Sequence, residues 1–260
     1  MKQKINNFYF SNADECQSEE LIQHYHPHFE IYYIKEGEYR YFIDDCVFDV
    51  KAGDVIFIPK GIIHRTSYTT PSHTLLRISF SEDYIPEDAL PHISNLGYIF
   101  RSKEISKNIE ELFSKIEVEY NKSDDFSQSL VGCYTAEIFY LIIRHPGDLE
   151  NSTTGNKLID SIVKYLKENY MNDIKLSAVA KMNSVSQEHL SRTFKSCTGF
   201  GFNEYLTLLR LRMAEEMIKN EPDKTISEIA YECGFNDGNY FSYKFKKMYG
   251  VSPIKLRSNK

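Results

Sequence analysis

Residues 225–257 read TISEIAYECGFNDGNYFSYKFKKMYGVSPIKLR, and the fold of the C-terminal part follows from them. Thr225 and Glu228 stand three apart, as a capping box requires at the start of a helix. Ile226, Ile229 and Ala230 then share one helical face. Gly234 permits the left-handed backbone of a tight turn. Asp237 is a good N-cap for a second helix, which is expected to pack through Phe241, Phe245 and Met248. That packing leaves Asn239, Ser242, Tyr243, Lys246 and Lys247 outward. A helix-turn-helix of this shape can lay its second helix in a DNA major groove.

Upstream, the chain repeats itself. Leu176, Val179, Ala180 and Val185 recur fifty positions later as Ile226, Ile229, Ala230 and Phe235. Beyond the turn, which is one residue longer in the second copy, Leu190–Lys195 recurs as Phe241–Lys246, and Gly199 matches Gly250. The opening stretch is therefore the second of two modules. Between them, 203–219 reads as one helix with Leu206, Leu209, Met213 and Met217 inward. At ~1.5 Å per residue it is about 25 Å long, a strut able to hold two reading helices roughly one DNA turn apart.

The first half has a different grammar. Residues 24–50, HYHPHFEIYYIKEGEYRYFIDDCVFDV, alternate and are rich in aromatic and β-branched residues, with turn signals at Glu36-Gly37 and Asp44-Asp45. Asp54–Ile58 and Leu75–Phe80 read as further short strands, so residues 1–84 predict a barrel or sandwich. From 102 the period becomes helical: Ile105, Ile109, Leu112, Phe113 and Ile116 share a face, and a second helix runs over roughly 126–144. These two helices are expected to serve either as a lid or as a dimer interface. HPGDLENSTTGN at 145–156 is polar and contains Gly and Pro. The domains therefore read as 1–145, a linker at 146–156, and an all-helical 157–260.

Composition is that of an ordinary globular protein. No signal peptide is recognisable, and the most apolar stretch, AEIFYLII at 136–143, is far too short to span a bilayer. Five scattered cysteines without a close pair read as reduced thiols, which places the protein in the cytoplasm. The net charge of −6 conceals a split. Residues 1–150 carry 14 basic and 25 acidic side chains (−11), whereas 151–260 carry 17 and 12 (+5). Only the second half has the charge balance to meet nucleic acid.

The repeat, the strut and the ending IAYECGFNDGNYFSYKFKKMYGVSP closely resemble the AraC/XylS family of transcription regulators over about residues 157–257. Ile229-Ala230, Gly234-Phe235, Tyr240-Phe241, Phe245-Lys246-Lys247, Gly250 and Ser252-Pro253 stand where that family's signature has them. The acidic half is similar to the cupin-type sensing domain many members carry. The resemblance implies an α+β protein: a cupin-like β-barrel with two following helices, then an all-α domain with two helix-turn-helix motifs joined by a long helix. Three positions depart from the pattern. Tyr243 replaces a usual basic residue, Ser184 a usual glycine, and Asn183 a usual apolar residue. The first turn is therefore expected to be held less tightly.

By resemblance, the groove-facing positions of the first module are Glu188, Ser191 and Arg192, with Ser186 capping the helix. Arg192 suits guanine O6 and N7, and Glu188 can accept from a cytosine amine. In the second module the matching positions are Asn239, Tyr240 and Tyr243. Asn suits adenine, and Tyr240 could equally belong to the core. Lys195, Lys246 and Lys247 are phosphate candidates, with a solvated charge run as the alternative.

In the first half, His24-x-His26-x3-Glu30-x6-Gly37 precedes Gly53-x5-Pro59-x-Gly61-x2-His64, spacings that resemble both motifs of metal-binding cupins. Three imidazoles and a carboxylate, His24, His26, Glu30 and His64, would suit a divalent metal such as Zn, Fe, Mn or Ni. The same residues, with Tyr32, could instead line an effector pocket, or be purely structural. His28 could replace a ligand if a bulge shifts the register at Pro27. The tyrosines at 25, 32, 33, 39 and 41 do not choose between a sugar and another polar ligand.

The reading is a transcription regulator, not an enzyme, working on double-stranded promoter DNA under control of a small effector. The resemblance makes a sugar the commonest effector. It also implies a homodimer and, in the commoner activating role, RNA polymerase as partner. The alternative is a metal-dependent cupin isomerase or dioxygenase fused to a DNA-binding domain. A purely architectural DNA binder is disfavoured by the aromatic-rich first half.

Overall fold

A computed structural model describes residues 7–13, 28–44, 46–68, 70–122, 124–145, 147 and 156–258. The strands, apart from Cys46 and Val47, and the first two helices fall in one compact unit, and the remaining helices in another. The predicted linker at 146–156 lies almost wholly outside the described residues.

The first unit contains β1 (Phe8–Ala13), β2 (Phe29–Glu36), β3 (Glu38–Ile43), β4 (Cys46–Lys51), β5 (Val55–Ile58), β6 (His64–Tyr68), β7 (Thr74–Phe80) and β8 (Ile99–Phe100). They form a five-stranded sheet in the order β1-β7-β2-β5-β8 and a three-stranded sheet β4-β3-β6. β8 pairs its two residues with Val55 and Ile56. It is too short to show a period, which is why the sequence does not reveal it.

The period of two sorts β2 into two faces. Phe29, Ile31 and Tyr33 join Phe57 of β5 and Ile78 and Phe80 of β7 in one apolar cluster. α1 (Lys103–Lys122) and α2 (Ser127–Arg144) close that cluster. α1 buries the five residues its period predicts: Ile105, Ile109, Leu112, Phe113 and Ile116. Both helices thus back the five-stranded sheet. The other face of β2 carries Glu30 and Tyr32 toward the second sheet, where Tyr32 meets the Tyr41 ring of β3 edge-on at 5.6 Å.

The second unit contains α3 (Lys157–Asn169), α4 (Leu176–Met182), α5 (Gln187–Thr198), α6 (Phe202–Asn220), α7 (Ile226–Glu232), α8 (Gly238–Tyr249) and α9 (Pro253–Ser258). The repeat is visible as two helix pairs of equal lengths: α4 and α7 have 7 residues each, α5 and α8 have 12. α5 and α8 both end on a left-handed glycine, Gly199 and Gly250.

Two predicted faces need correction. In α8 the third core residue is Tyr249, one turn past Phe245, while Met248 is only half-buried. The Tyr249 ring sits 4.3 Å from that of Phe245, and its hydroxyl donates to the Leu211 carbonyl at 3.2 Å. In α6, Leu206 and Leu209 are buried as expected, but Met213 and Met217 are half-buried, and Leu211, Ala214 and Ile218 are buried instead. α6 packs against α5 and also against α7, α8 and α9, so its buried surface wraps the helix rather than following one stripe.

Candidate nucleic-acid interface and interior polar cluster

The second helix of each pair is held by a side-chain cap. Ser186 accepts from the His189 N–H at 3.1 Å, which starts α5. Asp237 accepts from the N–H groups of Asn239 (2.7 Å) and Tyr240 (3.1 Å), which starts α8. α5 buries Leu190, Phe194 and Thr198. Glu188, Ser191, Arg192 and Lys195 are exposed, and their spacing puts them on one stripe. α8 buries Phe241, Phe245 and Tyr249 and exposes Asn239, Tyr240, Tyr243, Lys246 and Lys247. The ambiguity over Tyr240 ends here: it is 46% exposed, its ring 6.3 Å from Phe235 and 5.5 Å from the Lys244 ammonium.

The first turn is built like the second. Ser184 adopts φ +56°, the counterpart of Gly234 at +83°. The Ser184 and Val185 N–H groups bond Lys181 and Ala180 carbonyls, as those of Gly234 and Phe235 bond Tyr231 and Ala230. Asn183, expected to loosen the turn, donates from Nδ2 to the Val179 carbonyl at 2.9 Å and covers an end of α4.

Between the two sheets of the first unit lies a polar cluster. Glu30 is 2% exposed. Tyr32 donates to its Oε2 at 2.6 Å, and His64 Nε2 lies 3.2 Å from the same oxygen. A guanidinium nitrogen of Arg77, on β7, stands 3.8 Å from Oε1. His64 Nδ1 is 2.9 Å from the Ile62 carbonyl. A carbonyl only accepts, so Nδ1 carries a proton and Nε2 faces Glu30. Burial, then the charge of Glu30, pushes the Tyr32 phenol well above its usual range; burial does the same to Tyr41. Burial opposes the charge on Arg77, but Tyr32 and Glu30 outweigh it and hold the pKa above its usual value. Arg77 also lies over the Tyr9 ring, at 5.4 Å.

Of the predicted interior residues, Glu30, Tyr32 and His64 come together, whereas His24 and His26 lie outside the described residues. Sequence reading missed Arg77, and it named Tyr41 only among the tyrosines of the strands. The signal for Arg77 was its charge inside the apolar strand LLRISF, directly opposite Tyr32 in the register. Among the described residues no three His, Cys, Asp or Glu side chains are placed to hold a metal ion, and His28 joins no such group. Glu30 and His64 are two donors only, and a divalent cation there would face the Arg77 guanidinium. Two of the four predicted ligands, Glu30 and His64, are thus among the described residues.

Residues 179–259 match a helix-turn-helix domain family, and residues 16–76 match a cupin domain family. The chain is similar to the HTH-type transcriptional activator RhaR of Mannheimia succiniciproducens, 25% identical over 90% of this chain and 86% of that protein. It is 26% identical to the Msm operon regulatory protein of Streptococcus mutans, over 97% of this chain and 94% of the other. Among solved structures, the C-terminal domain of AraT, a response regulator from Geobacillus stearothermophilus, is 32% identical, covering 40% of this chain and 87% of its own, with a TM-score of 0.39.

Proposed function

Because the chain belongs to the AraC-type helix-turn-helix transcription regulators, with a cupin domain ahead of the helix-turn-helix pair, we propose that a small polar effector binds between the two cupin sheets and governs how α5 and α8 engage promoter DNA. The family consists of regulators, not enzymes, which sets aside the isomerase or dioxygenase reading. The observation that carries the effector site is the convergence of buried Glu30, Tyr32 and His64 with half-buried Arg77 in one cluster. A carboxylate and a guanidinium side by side offer an acceptor and a fork of donors, and the flanking aromatic rings offer an apolar face. A sugar hydroxyl pair matches that set.

The DNA-facing residues are Glu188, Ser191, Arg192, Asn239, Tyr240 and Tyr243, with Lys195, Lys246 and Lys247 on phosphates. Their exposure on stripes opposite the buried faces supports this role. Residues 1–145 form the effector-binding and dimerising part and 157–260 the DNA-binding part. The protein works as a cytoplasmic homodimer that presents four reading helices and activates transcription by contact with RNA polymerase. Among the described residues no helix is long and apolar enough to cross a membrane. The effector acts by binding one state of the dimer better than another.

Thermal unfolding of the full chain against a panel of sugars and divalent metals tests the site. A neutral sugar is expected to raise the melting temperature, because it binds the folded state only. Glu30→Gln should remove the shift. An undiminished shift in Glu30→Gln would move the effector site elsewhere.

A further inference from the structure

We propose that the two reading helices take chemically different DNA, α5 a G·C element and α8 an A·T element, so that the target site is bipartite in composition. The inference rests on the DNA-binding reading above. α5 exposes Glu188 and Arg192 one turn apart on one face. A G·C pair presents, in the same major groove, two acceptors on guanine and one amino donor on cytosine. Arg192 supplies the fork for O6 and N7. Glu188 supplies an acceptor for the cytosine amine and is repelled by phosphates, so its place is over base edges.

α8 lacks that chemistry. Its first two turns expose Asn239, Tyr240, Ser242 and Tyr243, with no arginine. Lys244 is only half-exposed and lies against the Tyr240 ring, while Lys246 and Lys247 belong to the last turn. A helix that enters a groove by its N-terminal part therefore brings no cationic fork for guanine. It brings the Asn239 amide, which matches adenine N6 and N7 as donor-acceptor pair, and the Tyr243 ring, 64% exposed, which can cover a thymine methyl. The Asn239 amide is also available, because the end of α8 is capped by Asp237 through the Asn239 backbone N–H and not its side chain. Both terms favour A·T, and the two modules differ where a symmetric repeat would have matched Arg192 with a second arginine.

The test is selection of duplexes from a randomised library by the full-length protein, followed by competition between single base-pair variants. The expected product has a G·C-fixed element and an A·T-fixed element about one helical turn, roughly 10 base pairs, apart. Arg192→Ala should lose roughly 5- to 150-fold discrimination in the first element only, the range for one bidentate contact. Asn239→Ala should relax the second only, and Tyr243→Arg should shift it toward guanine. Two G·C-fixed elements, or an Asn239→Ala protein that keeps full A·T preference, would overturn the inference while leaving a sequence-specific regulator. Failure to enrich any sequence would overturn both this inference and the DNA-binding reading on which it rests.

Discussion

Ser184 and Gly234 occupy the same left-handed position in the two turns, but Ser184 is exposed whereas Gly234 is half-buried. A Cβ on Gly234 would stand 2.9 Å from the carbonyl oxygens of Tyr170 and Met171. The Tyr170 oxygen is already fixed by the Arg210 Nε–H at 2.7 Å, so it cannot move aside cheaply. Gly234→Ala therefore adds a backbone clash to about 1–2 kcal/mol of left-handed strain, and should cost ~2–5 kcal/mol in urea unfolding. Ser184→Gly relieves strain but loosens the unfolded chain, so its effect should stay within ~1 kcal/mol. Equal effects of the two substitutions would contradict this account. The need for a glycine at 234 is legible from the turn pattern. That the same backbone tolerates serine at 184 depends on what each Cβ meets, and only the packed neighbours decide that.

At the scale of elements, the helix starts are the most local features and the most legible ones. The Glu228 carboxylate accepts from the Thr225 N–H at 2.7 Å and from its hydroxyl at 2.8 Å, while the Thr225 hydroxyl accepts from the Glu228 N–H at 3.2 Å. Thr225→Ala should cost about 1 kcal/mol, read as a lowered urea midpoint. The Thr225 N–H, then its hydroxyl, lowers the Glu228 pKa below the usual 4.5. A depressed carboxylate stabilises the fold above its unfolded pKa and loses that contribution as pH falls through the folded value. The stability gap between the native protein and Glu228→Ala should therefore be constant near neutrality and shrink below pH 4.5. A gap that grows on acidification would contradict the cap. The helix faces were less legible. Tyr249 displaces Met248 because a 12-residue helix packed at 241 and 245 continues its stripe at 249, and the Leu211 carbonyl receives the phenol.

For the whole molecule, the charge split predicts how DNA affinity responds to salt. Each lysine–phosphate contact adds about 0.9 to the slope of log affinity against log salt. Removing Lys246 and Lys247 together should lower that slope by about 2 and weaken binding evenly across sequences, measured by titration at several salt concentrations. An unchanged slope would place both lysines away from phosphate. The sequence by itself determined the duplicated helix pairs, their caps, the strand-rich first half and the family signature. All of these depend on contacts within a few residues or on a periodicity that repeats along the chain. It could not determine that Arg77 of β7 would stand beside Glu30 of β2 and His64 of β6, or that α6 would be covered on several sides. Those outcomes depend on strand register and on which helices close around a given face. Only tertiary structure decides them, because residues thirty or more positions apart must share one poorly solvated space for their charges and rings to act on each other.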